Sequence, residues 1–458
     1  MIGRLALSAM LLLSACAPVS TGPETPSRAA MAQTGLSMPP MKIFGDPPPR
    51  SATRSNADIA RDILDLAFKL ESGRDLPVLT RFEAPIRVRV TGSPPPGMIA
   101  ELDRVLGRMR REAGIDIARG NAGAGVTIQA VPGASIRQYL PQAACFVVPN
   151  ITRLSQYGSA RRRAASDWAA LTERETIAIF VPNDVSPQEV RDCLHEELAQ
   201  ALGPLNDLYR LPDSVFNDDN VHTVLTPFDM LVLRVFYDAD LHSGMTREQV
   251  AVRLPGILAR LNPGGESRPS RPLPETDRGW IDAIQQALGP GASPSARLRA
   301  AGRALNIAKG RGWTDHRLAF SHYAYARLSQ ARDPDAALSH YREARAIYAA
   351  RPETAIHNAY VAAQLAAHAI ARGDGNEALR QIRGQTDLAL RHENAALLAS
   401  LLMLRAEALD LLGRDAEARA ARRESLGWAR FGFGPEWAVR AKLSEIAALN
   451  PMRARGRS

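Results

Sequence analysis

The stretch DCLHEELAQALGPLND, residues 192–207, has the best spacing in the sequence for metal or acid–base chemistry. A helix can bind zinc through two histidines four residues apart, because those positions share one face, and a glutamate after the first histidine serves as general base. His195 and Glu196 begin such a pattern, but Ala199 stands where the second histidine belongs. In this register the helix therefore offers no zinc site.

The elements around this stretch predict that it is a helix packed against a sheet. The tetrapeptide SPQE at 186–189 is a typical helix start, with proline at the first helical position. Residues 56–71 and 96–113 show the apolar spacing of helices, whereas 85–92 alternate as a half-buried strand does. Three short β-rich runs follow, GVTIQAV, ACFVVPN and TIAIFVPN. We therefore expect an α+β domain over residues 55–260.

Read from Glu196 onward, the helix resembles that of the metzincin metalloproteases, whose pattern is H-E-L-G-H-A-L-G-L-x-H. Leu198, Ala201 and Leu202 match its apolar positions, and Gly203 falls where the chain must turn sharply. Further along, LTPFDMLVLRVFYD is similar to the C-terminal helix of matrix metalloproteinases. The core E-E-x-x-Q-x-L-G-x-x-N-D also resembles an uncharacterised family of secreted bacterial proteins. These resemblances imply a degenerate zincin-like domain.

The resemblance also implies a set of ligands in which no position carries histidine. Glu196, Gln200 and Asn206 stand at the three ligand positions, Asp207 follows the third, and Glu197 stands at the general-base position. Such oxygen ligands suit Ca²⁺ or Mg²⁺ better than Zn²⁺, and a hard ion would not lower the pKa of bound water as zinc does. We expect no resident cofactor; an ion bound here would be a divalent metal ion. Three interpretations stay open: a fold retained without catalysis, a metal- or carboxylate-dependent hydrolase, and a helix that only resembles the motif.

The N-terminus predicts a lipid-anchored protein of the cell envelope. A basic start precedes LALSAMLLL, an apolar run too short to span a bilayer. LSAC at residues 13–16 resembles the lipobox of bacterial lipoproteins. This resemblance implies a signal peptide over residues 1–16, lipidation of Cys16, and an outer-membrane lipoprotein facing the periplasm. An ordinary signal peptide is the alternative.

The two remaining cysteines, Cys145 and Cys193, are predicted to form a disulfide, because the expected compartment is oxidising. Closing the loop between these two cysteines would contribute roughly 4 kcal/mol to stability. Two buried free thiols are the alternative.

Composition argues against a nucleic-acid partner. The formal net charge is +9, but all except four of the 57 basic residues are arginines spread along the chain. We attribute this to codon usage, although contact with anionic lipid or cell-wall polymer stays open. Residues 17–54, rich in Pro, Ser, Thr and Gly, are predicted to be a disordered tether.

The second region is predicted to be all helical. A Pro-, Gly- and Ser-rich linker over residues 261–277 precedes it, and a basic tail over 451–458 follows it. Between them, over 278–450, similar turns begin at Asp335 and recur about 40 residues apart. This pattern resembles tetratricopeptide repeats, whose usual period is about 34 residues. The resemblance implies a surface for a protein or peptide partner, whereas an irregular helical bundle would lack it.

Together these features predict a non-catalytic binding or scaffold protein. Its partners would be the membrane, through the lipid anchor, and a protein or peptide held by the helical repeats. The alternative is a peptidase or cell-wall hydrolase with Glu197 as general base. A weaker alternative is an envelope assembly factor that uses its basic surface.

Overall fold

The computed structural model of the chain describes residues 38–455. The predicted signal peptide, Cys16 and residues 17–37 of the predicted tether lie outside the described residues. Within the described range, no helix combines the length and the apolar character needed to cross a membrane.

The first region, residues 55–261, mixes helices and strands, which confirms the predicted fold class. Its elements in chain order are α1 (Asn56–Phe68), β1 (Ile86–Gly92), α2 (Met98–Ala113), β2 (Ile117–Arg119), β3 (Val126–Val131), α3 (Gly133–Arg137), β4 (Phe146–Pro149), α4 (Leu154–Ala160), β5 (Ile177–Pro182), α5 (Pro187–Leu202), α6 (Pro227–Phe236) and α7 (Arg247–Leu261). We call it the α/β region.

Five strands form one sheet in the order β2-β1-β3-β5-β4. Four of them are parallel, and β4 runs antiparallel to β5 at one edge. Every residue of β5 is buried, as expected for a strand that is covered on both faces. Helices α3 and α4 cover one face, and the larger core on the other face includes residues of α1, α2, α5, α6 and α7.

The second region is all helical, as predicted. Its helices are α8 (Arg278–Leu288), α9 (Pro294–Gly310), α10 (His316–Ser329), α11 (Pro334–Ala349), α12 (Ala355–Ala371), α13 (Gly375–Ile382), α14 (Gln385–Arg391), α15 (Ala395–Leu411), α16 (Asp415–Phe433), α17 (Glu436–Ala447) and α18 (Pro451–Arg455). Three successive pairs, α10 with α11, α12 with α13, and α15 with α16, pack against each other. The predicted similar turns fall at the starts of the second helices of these pairs.

The segment of residues 39–54, here called the N-terminal arm, has no helix or strand, but it does not behave as the predicted tether. Phe44 is 5% exposed, and its ring stacks on Trp428 with centroids 4.7 Å apart. The Lys42 N–H donates to the carbonyl oxygen of Gly427 at 3.1 Å. An aromatic side chain, one backbone hydrogen bond and the Arg430 side chain, which donates to the Pro39 carbonyl oxygen, thus hold a segment whose composition is typical of disorder.

The predicted linker is likewise packed against the α/β region. The Ser270 hydroxyl donates to Asp58 Oδ1 at 2.7 Å, and the Arg271 N–H donates to Oδ2 at 2.8 Å. Because of such contacts, the described chain from Pro39 onward forms one compact unit instead of two separated domains.

The two regions meet at a surface that contains four histidines, here called the histidine interface. His222 comes from the α/β region, and its ring centroid lies 5.8 Å from that of His357 and 5.7 Å from that of His392. His316 Nε2 lies 2.7 Å from the carbonyl oxygen of Tyr209. Burial lowers the pKa of His316 to about 4 and that of His392 to about 3. These imidazoles are therefore neutral at neutral pH.

An ion pair crosses the same boundary. Arg191 of α5 is 1% exposed and contacts Glu393, with Nη1 3.0 Å from Oε2. Its guanidinium also lies over the rings of Phe44 and Phe431, 4.8 and 5.2 Å from their centroids. Arg191 thus joins the sheet-packed helix, the N-terminal arm and the helical region.

Candidate functional site

A cavity of about 600 Å³ lies between helix α5 and the edge strand β4. Residues 140–145 and β4 form one wall, and α5 forms another. The predicted disulfide between Cys145 and Cys193 is confirmed, and it ties the loop before β4 to α5. The disulfide therefore fixes two walls of the cavity relative to each other.

Helix α5 is held at both ends. Ser186 and Glu189 form a capping box at its start. At its other end the Arg174 guanidinium donates to the carbonyl oxygens of Gln200 and Gly203, each at 2.5 Å. A Cβ at Gly203 would lie 2.3 Å from the ring of Phe236, so glycine is needed where the helix stops. These contacts fix the position of α5, whose middle faces the cavity.

Five carboxyl groups line this cavity, which we call the acid cavity. They come from α5, from the loop after α1 and from the loops that follow α5: Glu71, Glu196, Glu197, Asp207 and Asp218. Among the described residues that line it, there is no Lys or Arg. In a chain with a net charge of +9, the cavity is a local concentration of acid, and Arg278, which donates to the Glu71 carbonyl oxygen at 3.0 Å, is a cation near it.

Glu197 is the most buried of these acids, at 5% exposure, and its Oε2 has no hydrogen-bond partner among the described residues. Burial raises the pKa of Glu197 well above its usual value, and the neighbouring carboxylates of Glu196 and Glu71 raise it further. Leaving a buried polar atom unpaired is costly, and such atoms are uncommon in folded proteins. The Glu197 side chain therefore brings an unsatisfied hydrogen-bonding atom to the wall of the acid cavity.

The other acids are perturbed in the same direction. Burial, followed by the charges of Asp218 and Glu71, raises the pKa of Glu196 to about 8. Burial also raises the pKa of Asp207, and a hydrogen bond to the Glu71 carboxyl helps to keep the proton on Asp207. Asp218 accepts a hydrogen bond from the Tyr209 hydroxyl at 2.8 Å. At neutral pH the cavity thus keeps several protons that exposed carboxylates would have lost.

Three of the four predicted metal ligands line the acid cavity, namely Glu196, Gln200 and Asp207. Asn206 does not line it; its Nδ2 donates instead to the carbonyl oxygen of Asp65 near the end of α1, at 3.0 Å. The Asn206 amide thus provides a hydrogen-bond donor for a backbone carbonyl oxygen of a neighbouring helix.

Zinc of the kind used by the metalloproteases that the sequence resembles does not fit this arrangement. Within residues 38–455, no three His, Cys, Asp or Glu side chains are grouped so that they could hold a metal ion. His195 faces elsewhere, because its Nδ1 accepts a hydrogen bond from the Leu225 N–H at 3.1 Å. We therefore derive no metal-dependent step for this cavity.

The predicted ligand set omits two of the five acids, Glu71 and Asp218, and three of the lining amides, Gln142, Asn220 and Gln285. Glu71 and Asp218 each lie in a loop without any recognisable motif, and Gln285 belongs to α8 in the helical region. The Gln285 side chain approaches Asp218, with Nε2 3.5 Å from Oδ2. The fold of the α/β region brings Glu71 and Asp218 to the cavity from separate loops, and the packing of the helical region adds Gln285.

Residues 56–256 match the model of a family described as a protein of unknown function, DUF2927. The matched segment begins at α1 and ends within α7, so it contains the sheet, α5 and most of the acid cavity. A comparison with curated proteins found no match.

Proposed function

We propose that the chain is a lipid-anchored binding protein of the periplasm whose acid cavity holds a cationic group of an extended polypeptide. The observation that carries this proposal is that five carboxyl groups, and no Lys or Arg, are among the described residues that line one cavity of about 600 Å³. A lysine, arginine or amino-terminal group would supply the missing positive charge and a hydrogen-bond donor for Glu197.

The edge strand supports an extended partner. Val148 pairs with Ala178 of β5, and beyond the ladder the Asn150 N–H donates to the Thr176 carbonyl oxygen at 2.8 Å. Because bonded pairs alternate along an antiparallel ladder, the backbone of Val147 faces away from β5. Val147 also lines the acid cavity, and no other described strand pairs with this side of β4. A polypeptide could add to this edge through backbone hydrogen bonds.

The protons held by the cavity give binding a pH signature. A bound cation favours the charged form of nearby carboxyls and so lowers their pKa values. Binding should therefore release protons at neutral pH, and affinity should rise as pH increases from about 6 to 8. This direction is set by the raised pKa of Glu196, about 8.

Calorimetry with two peptides tests the proposal. One peptide alternates lysine with valine, and the other replaces each lysine by glutamine. We expect the full-length chain to bind the lysine peptide, and Glu196→Gln/Glu197→Gln to weaken binding about tenfold or more, because it removes two carboxyls that would ionise beside the bound lysine.

Glu189→Gln is the matched control, because it lies outside the cavity on the same helix, and glutamine still completes a capping box. Its affinity should stay within about twofold of the unchanged chain. Equal binding of both peptides, or equal losses in both variants, would refute the cationic specificity.

A hydrolase is the second candidate, and the unpaired Oε2 of Glu197 favours it. Its raised pKa suits a general acid better than a general base at neutral pH. Mass spectrometry of the lysine peptide after incubation would detect cleavage. Cleavage that Glu197→Gln slows ~10²–10⁴-fold would establish this function. A peptide that stays intact would support binding without hydrolysis.

The lipid anchor rests on the LSAC motif at residues 13–16. A Cys16→Ser variant should leave the membrane fraction if that cysteine carries the anchor. The scaffold role of the helical region is supported by its three packed helix pairs, whose exposed surfaces are available to a partner.

A further inference from the structure

A second concave site lies wholly within the helical region. A groove of about 560 Å³ runs between α11, α12 and α13. Aliphatic side chains, among them Leu338, Ala346 and Leu365, line part of it, and three arginines, Arg342, Arg345 and Arg372, also face it. We call it the arginine groove. None of its lining residues belongs to the acid cavity.

The arginines of this groove lack carboxylate partners. In the part of the chain that the structure describes, neither Arg342 nor Arg372 forms an ion pair, and Arg345 donates to the neutral side-chain oxygen of Gln381. Arg342 and Arg345 lie three residues apart on α11 and so share one helical face. The groove thus presents three guanidinium groups to an incoming ligand.

The two acids at its edge are already engaged. Asp374 caps α13 by accepting a hydrogen bond from the Glu377 N–H at 2.8 Å. The Glu377 carboxylate accepts from the Arg380 side chain, with Nε 2.9 Å from Oε2. Both carboxylates are engaged at the start of α13, and among the described residues neither forms an ion pair with the three arginines of the groove.

We infer that the arginine groove binds an acidic polypeptide segment in which carboxylates alternate with aliphatic side chains. Guanidinium groups bind carboxylates through paired hydrogen bonds, and the apolar lining gives neighbouring aliphatic side chains a surface to bury. A concave groove between helices admits an extended chain more readily than the flat surface of a bilayer. This site is independent of the acid cavity and carries the opposite charge.

A peptide that alternates glutamate with leucine is the direct probe, measured by calorimetry with the full-length chain. The double charge reversal Arg342→Glu/Arg372→Glu should weaken binding at least about tenfold. Arg419→Glu/Arg423→Glu is the matched control, because it makes the same change in net charge on exposed positions of α16 that do not line the groove. Its affinity should stay within about twofold.

Three results would overturn the inference: no binding of the glutamate peptide, equal binding of a glutamine–leucine peptide, or equal losses in both charge-reversed variants. Binding to vesicles of anionic lipid that depends on Arg342 and Arg372, without binding of the peptide, would also overturn it in favour of a lipid ligand. Circular dichroism of each variant checks that its helices remain folded. Because the lysine peptide probes the acid cavity, this result and the test of the proposed function can fail separately.

Discussion

The acid cavity and the histidine interface respond to burial in opposite ways. In both places, burial favours the neutral form of the titratable groups. In the acid cavity the neutral form is protonated, as for Glu196, whose pKa rises to about 8. At the histidine interface it is unprotonated, as for His316, whose pKa falls to about 4. Rising pH therefore lowers stability through ionisation of the cavity acids, and falling pH lowers it through protonation of the interface histidines.

The difference shows which of the two places is suited to bind a charged ligand. The cavity is open, and its acids have room for a cation that would let them ionise. The histidine interface is closed by packing, and His316 already contacts the carbonyl oxygen of Tyr209. A charge gained at the cavity can be neutralised by a partner, whereas the packing around His316 leaves no room for one.

The largest expected effect comes from breaking the interface at Arg191. Replacing Arg191 by alanine leaves the Glu393 carboxylate, 7% exposed, without its partner. Removing one member of a buried ion pair costs about 3–5 kcal/mol. We expect urea unfolding to show this loss, with the helical region separating from the α/β region in an earlier transition. Arg423→Ala, at an exposed position, should change stability by less than about 0.5 kcal/mol.

The next effect is the loss of stability in acid. Unfolded histidine binds a proton below about pH 6.5, but folded His316 does so only below about pH 4. Between these values the unfolded state binds more protons, so stability falls as pH is lowered through this window, by about 3 kcal/mol for this residue. Denaturant unfolding at a series of pH values measures the slope.

His316→Gln isolates this contribution, because glutamine keeps a donor for the Tyr209 carbonyl oxygen but does not titrate. The variant should show a smaller loss of stability between about pH 7 and pH 4. If stability falls equally with pH in the two proteins, protonation of His316 does not contribute to the loss of stability in acid.

The acid cavity should show the opposite pH dependence, with a loss of stability in base. Unfolded glutamate loses its proton near pH 4.5, whereas folded Glu196 holds it up to about pH 8. The folded state binds more protons in this window, so stability is lost as pH rises through it. Glu196→Gln removes that penalty and should be more stable than the unchanged chain at pH 9, which denaturant unfolding at that pH measures.

Adding the lysine peptide tests whether a bound cation offsets the loss of stability in base. A cation in the cavity should make the ionised form of Glu196 favourable, so the unchanged chain should lose less stability at pH 9 when the peptide is bound. An advantage of Glu196→Gln that persists unchanged at saturating peptide would place the peptide elsewhere.

Local patterns predicted much of the fold. The start of α5 could be read from SPQE at 186–189, because capping and proline act within a few residues. The regular intervals in the helical region similarly predicted where α11, α13 and α16 begin. The disulfide followed from cysteine number and expected compartment.

Features that depend on tertiary packing were not predictable. The sequence indicates a free tether before residue 55, but Phe44 finds an aromatic site on a helix almost 400 residues further along the chain. Glu71 and Asp218 join the acid cavity from separate loops. The amide of Asn206 fitted a ligand position by spacing alone, yet the end of α1 uses it as a donor. Spacing along one helix cannot report what a neighbouring element requires.

The N-terminal arm also determines how the molecule would carry mechanical load. If the chain is held at a surface through its N-terminus, tension enters the folded unit at Pro39, whose carbonyl oxygen accepts a hydrogen bond from Arg430 at 2.7 Å. The next points along the load path are the Lys42–Gly427 backbone bond and the Phe44 ring. Helix α16 would therefore bear the pull before α5, and the acid cavity would keep its shape while the arm peels away.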